Sequence, residues 1–152
     1  MSIEVDQSNK IERIERDTVL ALSDDRQYAI VIPAKVKREV VFRLRRKGSR
    51  KTIYLRLFAV GLFILLRAHL ADIIERGEQI VIDAEYEGHE SKIKGMLLRQ
   101  VYAAGIRLPK EMVIFAPLGE RSGAHHVAWQ VQRGKRTPDY RVSLEELAAL
   151  LE

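Results

Sequence analysis

Residues 78–95 read EQIVIDAEYEGHESKIKG, and the fold turns on what the chain does after IVID. The run Ile80-Val81-Ile82 is short, continuous and β-branched, which reads as a strand buried on both faces. It ends on Asp83, passes Glu85 and Tyr86, and turns at Gly88. Beyond the turn Ile93, Met96, Leu97, Gln100, Val101 and Ala104 recur at helical spacing, and Gly105 closes the run. A strand leading straight into a helix predicts a crossover unit, and so an α/β chain. Two carboxylates at the exit of such a strand read as a metal site, a turn or a solvated rim. Asp83 suits the capping of a turn as well as it suits a cation.

Upstream of this stretch, Phe58 to Arg76 predicts a helix, apolar almost all round at first and then carrying Leu70, Ile73 and Ile74 on one face, with Gly77 as its C-terminal cap. Its most apolar part, LFAVGLFILL from Leu57 to Leu66, meets Arg67 after ten residues, about half of the roughly 20 that span a bilayer. This reads as a buried helix, with no membrane role. Further upstream, Val19 to Leu22 is an apolar run stopped by Ser23-Asp24-Asp25. QYAIVIPAKV is β-branched, with Pro33 marking a bulge or an edge, and VVFRLRRKGSRKTIYLRL gives two β-rich runs around Gly48-Ser49, a pair suited to a hairpin turn. Residues 19–57 therefore predict an antiparallel meander of about three strands with a basic tip. Residues 1–17, in which charges alternate with Ile11 and Ile14, read as a charged arm.

Downstream, MVIFAPLG is a strand stopped by Pro117 and Gly119. SGAHHVAWQVQRGK is a helix with Ser122 as N-cap and Val127, Trp129 and Val131 for packing. Residues 143–152, SLEELAALLE, open with Ser143 and Glu146 in a capping box and form an amphipathic tail helix, whose Leu147, Leu150 and Leu151 are available to a homodimer. Residues 18–152 thus read as a single domain.

With 152 residues and 47% apolar composition the chain supports one sizeable core. There is no cysteine, which excludes disulfides and thiolate metal sites, and the charged N-terminus lacks the apolar run of a signal peptide; a cytoplasmic location is the expectation. The net charge is a modest +5, but from Lys35 to Arg56 there are ten Lys or Arg against one acid, Glu39. A second small cluster, RGKR, spans Arg133 to Arg136. A polyanion is the natural partner of such a stripe, because each neutralised phosphate releases a counterion.

The element order over residues 19–135 resembles the ribonuclease H-like superfamily, which includes resolvases and the catalytic domains of DDE transposases. The stretch IDAEYEGHESKIKGMLLRQVYAAGI is also similar to the transposase pattern of a strand-end Asp, an aromatic residue soon after, and a helix ending in Gly. The resemblance implies a mixed five-stranded sheet, three antiparallel strands followed by alternating helix and strand. It places Asp83 at the catalytic end of the fourth strand, facing the first. His125 or His126 falls where the last helix carries a metal-binding or proton-handling residue. The superfamily's first acid lies within its first strand; QYAIVIPAKV has none, which leaves Asp24 or Asp25 if VLALSDD is that strand.

Hydrolysis of a phosphodiester by two metal ions needs about three carboxylates converging on cations roughly 4 Å apart. The candidate catalytic set is Asp83, Glu85, Asp25 and His125, with Asp83, Glu85 and Asp25 as ligands of Mg²⁺ or Mn²⁺. The candidate phosphate contacts are Lys35, Lys37, Arg38, Arg43, Arg45, Arg46, Lys47, Arg50, Lys51, Lys92, Lys94 and Arg121. Three readings stay open: a metal-dependent endonuclease, a non-catalytic DNA- or RNA-binding module of the same fold, and a structural protein with no nucleic-acid ligand.

Overall fold

The computed structural model describes residues 1–151. It holds one mixed sheet of six strands, β1 Ser2–Ser8, β2 Thr18–Ser23, β3 Gln27–Ile32, β4 Gln79–Asp83, β5 Val113–Ala116 and β6 Tyr140–Arg141, in the spatial order β5-β4-β1-β2-β3-β6. Six helices accompany it: α1 Ala34–Leu44, α2 Arg50–Leu66, α3 Leu70–Arg76, α4 Glu90–Ala103, α5 Gly123–Gln132 and α6 Leu144–Leu151. β1, β2 and β3 form an antiparallel meander, β4 lies parallel to β1, and β5 lies parallel to β4. Only β2 therefore opposes the other strands. The carboxyl ends of β1, β4 and β5 share one edge of the sheet, the edge where α/β sheets bind ligands.

The chain is an α/β protein, as the strand–helix alternation predicts, but its first strand lies within the segment that reads as a charged arm. Residues 2–8 are the central strand, bonded to β2 on one side and β4 on the other. Ile3, Val5 and Gln7 point to the face carrying the larger core, while Glu4 and Asp6 point to the face covered by α5. The charges alternate with the β-branched residues and do not interrupt the strand.

A second correction concerns the basic tip. No β-hairpin spans residues 40–57; α1 and α2 lie there instead. Lys37, Val40, Val41 and Leu44 are all buried, at the i, i+3, i+4, i+7 spacing of a helix face. That periodicity outweighs the β propensity of Val-Val-Phe. Gly48-Ser49 is a helix start rather than a hairpin turn: Ser49 Oγ accepts from the Thr52 backbone N–H at 3.2 Å and caps α2. The meander expected over 19–57 is thus shifted toward the N-terminus by one strand.

α2 carries the apolar run into the centre of the molecule, with every residue from Leu57 to Leu66 buried. Gly61 makes this possible, because a Cβ there would stand 2.8 Å from Leu20 Cδ1 and 3.1 Å from Ile32 Cδ1. A side chain at that point would push the Leu20 and Ile32 methyls aside where the helix lies on β2 and β3. Among the described residues no single helix is long and apolar enough to cross a membrane. α5 covers the opposite face, where Val127, Ala128 and Val131 meet Val19, Ala21, Ala29 and Val31.

Of the remaining elements, β4, α4, β5, α5 and α6 lie where the sequence places them. The single helix expected over Phe58–Arg76 is instead broken after Leu66 into α2 and α3, which meet at 75°, and β6 answers to no strand in the sequence reading. Leu147 and Leu151 of α6 are fully buried in the main core, against α1 and α2, so the stripe read as available to a homodimer packs within the chain.

Candidate metal centre at the carboxyl ends of β1 and β4

β1 and β4 are neighbours; β1 carries Asp6 near its carboxyl end and β4 ends on Asp83. Val5 pairs with Ile82, so Asp6 and Asp83 follow one another into the same corner of the sheet. Glu85 comes from the turn after β4, whose backbone N–H donates to the Asp83 carbonyl at 3.0 Å. One carboxylate oxygen from each of Asp6, Asp83 and Glu85 lies within 4.8 Å of the others. They line a pocket of about 240 Å³ together with Gln7, Gly119, Glu120 and His125. Three carboxylate oxygens this close together could hold a metal ion, and oxygen donors suit a hard cation.

The surrounding chain fixes each acid. Asp6 is buried and its Oδ1 accepts from the Gln7 backbone N–H at 2.8 Å. Its Oδ2 lies 3.2 Å from Nδ1 of His125. Asp83 Oδ1 accepts from the Leu118 backbone N–H at 2.8 Å, which ties the loop after β5 to the end of β4. Glu85 has one cationic neighbour, Lys10 Nζ at 3.8 Å.

Electrostatics record how close these groups stand. Burial raises the Asp6 pKa above the usual carboxylate value; the Gln7 N–H opposes this and the nearby Asp83 charge adds to it. Burial, followed by the charges of Asp6 and Asp83, pushes Glu85 up to about 7, against the opposing pull of Lys10. A cation bound beside carboxyls whose pKa values are raised by burial and by neighbouring carboxylates would favour their ionised forms.

α5 delivers His125 to this corner. Ser122 Oγ caps the helix by accepting from the His125 N–H at 3.4 Å, and Glu4 Oε1 accepts from both Ser122 Oγ at 2.9 Å and the Gly123 N–H at 3.1 Å. A carboxylate of β1 thus anchors the amino end of α5, where its charge is favoured. Gly123 is required for this docking, since a Cβ would fall 2.5 Å from Ser23 Oγ. Behind the pocket, Tyr86 is buried. Its hydroxyl donates to Glu12 Oε1 at 3.0 Å and accepts from Gln7 Nε2 at 3.2 Å, and its ring packs on Phe58 at 4.9 Å between centroids.

Of the residues singled out from the sequence, Asp83, Glu85 and His125 come together and Asp25 does not. Asp25 lies in the β2–β3 turn, at the opposite end of the sheet, exposed and paired with Arg76 at 2.9 Å. Neighbouring Asp24 belongs to an ion cluster there with Arg26 and Glu78. The acid missing from the sequence reading is Asp6. Its signal is the alternation Ile3-Glu4-Val5-Asp6, a β-branched run ending in Asp as IVID does.

Two of the expected phosphate contacts are engaged internally. Lys37 is fully buried and its Nζ donates to Arg13 O at 2.8 Å, Thr18 Oγ1 at 2.7 Å and Ile11 O at 3.4 Å. It is a tether holding α1 to the β1–β2 connection, and burial lowers its pKa to about 8. Lys94 is half-buried and donates to Val113 O at 2.8 Å. Lys35, Arg38, Arg43, Arg45, Arg46, Lys47, Arg50, Lys51, Lys92 and Arg121 are exposed. Comparison with family models, with curated proteins and with solved structures returns no match to this chain.

Proposed function

We propose that this protein is a nucleic-acid-binding phosphodiester hydrolase of ribonuclease H-like architecture, working with Mg²⁺ or Mn²⁺ held by Asp6, Asp83 and Glu85. The observation that carries the reading is the convergence of those three carboxylates, from two adjacent parallel strands and the turn after one of them, within 4.8 Å. The strand order supports the architecture. An antiparallel β1-β2-β3 meander has β4 and β5 added in parallel beside β1, and acids sit within the first strand and at the end of the fourth.

In this reading Asp6, Asp83 and Glu85, the last as its ionised carboxylate, would hold the cation, with the Asp6 and Asp83 side chains fixed by backbone N–H groups. When bound it would supply charge compensation at the attacked phosphate and a more acidic water. His125, next to Asp6, handles a proton of the attacking water or the leaving oxygen. The exposed cations of α1 and of the turn into α2 bind phosphates without reading bases.

A non-catalytic binding module is the second reading, and one bond favours it. Asp83 Oδ1 already accepts from Leu118, as a strand-end Asp does when it only caps a turn. Incubation with labelled single-stranded, duplex, hybrid and branched substrates in Mg²⁺, Mn²⁺ or EDTA separates the two. Cleavage that needs metal and is lost in Asp83→Asn and Asp6→Asn supports hydrolysis. Binding without cleavage under every condition leaves the module.

A further inference from the structure

One turn beyond His125 on α5 stands Trp129, the only tryptophan of the chain. The helix buries Ala124, Val127, Ala128 and Val131 against the sheet. At 100° per residue, His125, Trp129 and Gln132 therefore share one flank. At its two ends this flank meets β1: His125 approaches Asp6, and Gln132 accepts from Ser8 Oγ. Trp129 thus follows His125 by about one helical pitch, roughly 5.4 Å along the α5 axis.

The indole is half-buried and surrounded by positive charge. Arg133 Cζ lies 5.3 Å and Lys135 Nζ 4.9 Å from its ring centroid, and the His126 ring is nearly parallel to it at 6.3 Å. The backbone places Lys135 there. Gly134 takes a left-handed φ of 72°, and the Lys135 N–H returns to Gln130 O at 2.9 Å, folding the chain back over the helix end. Neither Arg133 nor Lys135 has a carboxylate partner among the described residues. Two cations held against an aromatic face, with no acid to neutralise them, complement a ligand that offers both a π-face and a phosphate. An unpaired nucleotide is such a ligand; in a continuous duplex the base faces are already stacked.

We infer that Trp129, with Arg133 and Lys135, seats an unpaired nucleotide next to the phosphate at the metal corner, so that the strand acted on is single-stranded or locally opened. The inference rests on the hydrolase reading for what happens to that strand, but the seat itself can be read without cleavage. Because Trp129 is the sole tryptophan, its emission reports on this position alone.

The test titrates the full-length protein in EDTA with an oligothymidylate of roughly 12 nucleotides, following indole emission. The same length of blunt duplex and heparin, a polyanion without bases, serve as comparisons. Expected are saturable quenching by the single strand, little by duplex or heparin, and affinity for the single strand about tenfold weaker in Trp129→Leu but largely kept in Trp129→Phe. Equal quenching by duplex or heparin would overturn the inference in favour of plain charge binding, as would unchanged affinity in Trp129→Leu. Quenching that survives in Asp83→Asn, while no substrate is ever cut, would keep the seat and remove the hydrolase. Metal-dependent cleavage of a duplex with no change in emission would do the reverse.

Discussion

Asp6 Oδ2 and His125 Nδ1 stand 3.2 Å apart, joining the central strand to the helix that covers it. The pairing gives His125 one fixed partner and leaves its other ring nitrogen for the pocket. If the imidazole moves a proton, its removal should slow the reaction without emptying the metal site. His125→Gln is expected to lower the metal-dependent cleavage rate by about 10²-fold and leave Mn²⁺ affinity within a few-fold of wild type. Asp6→Asn should weaken both. Rates measured beside Mn²⁺ titrations distinguish the roles, and a His125 variant that no longer binds metal would make the histidine a ligand.

Glu85 predicts how stability responds to pH. Its folded pKa of about 7 lies above the ordinary 4.5, so the native state keeps a proton that the unfolded chain releases. The contribution is fully present below 4.5 and is lost as pH rises through about 7, on the order of 2–3 kcal/mol. The metal-free protein should therefore lose Tm between these values. Mg²⁺ or Mn²⁺ should restore it at the upper end, where the cation meets three ionised carboxylates. Glu85→Gln should flatten the pH profile and shrink the metal effect. Thermal melts in EDTA and in metal across that range check both, and a wild-type profile that does not change with added cation would count against a metal site.

At the other end of the sheet, Arg26 holds the β2–β3 turn to the start of β4. Its guanidinium reaches Asp24 Oδ2 at 2.6 Å, Glu78 Oε1 at 2.7 Å and Asp72 Oδ2 at 2.7 Å. Burial opposes ionisation of Asp24, yet the bonds from Arg26 and Glu78 hold its pKa well below the carboxylate range. Burial, and then Asp24, raise that of Glu78, whose side chain is 1% exposed. Arg26→Met leaves Asp24 and Glu78 with only the more distant Arg76, at 4.0 and 3.9 Å, while Asp72 keeps Arg76 at 3.3 Å. A loss of about 3 kcal/mol is expected in urea denaturation, with cleavage in native conditions unchanged.

The elements whose period is plain were legible from the chain: IVID, the helix after it, the Ser122 cap and the Ser143 cap all lie where their residues place them. β1 was hidden because Glu4 and Asp6 face α5 instead of water, and charge in a short segment reads as exposure. α1 and the first half of α2, up to Leu57, were hidden by β-branched residues on a helical face, where tertiary burial decides. Both errors touched the site. Shifting the meander by one strand moved the first acid from Asp6 to Asp25, since pairing in a sheet sets which ends meet. No local signal in SDDR distinguishes a turn at the far edge from one at the corner of Asp6 and Asp83.

The same correction reshapes what the basic segment should do. On two helices and their turn, Lys35, Arg38, Arg43, Arg45, Arg46, Lys47, Arg50 and Lys51 are exposed, while Lys37 is sealed inside. Replacing Arg45, Arg46 and Lys47 together by Gln should flatten the plot of log affinity against log salt, by about 0.7 for each phosphate of a single strand that is no longer neutralised. It should leave stability near wild type, because among the described residues no acid pairs with these three. Lys37→Met should do the opposite. It removes three donated bonds from the β1–β2 connection and is expected to destabilise by about 1–3 kcal/mol, while the salt slope of binding stays unchanged. Fluorescence anisotropy over a salt series, beside denaturation of both variants, checks the pair. A reduced slope in Lys37→Met would show that this amine leaves its buried seat to meet phosphate.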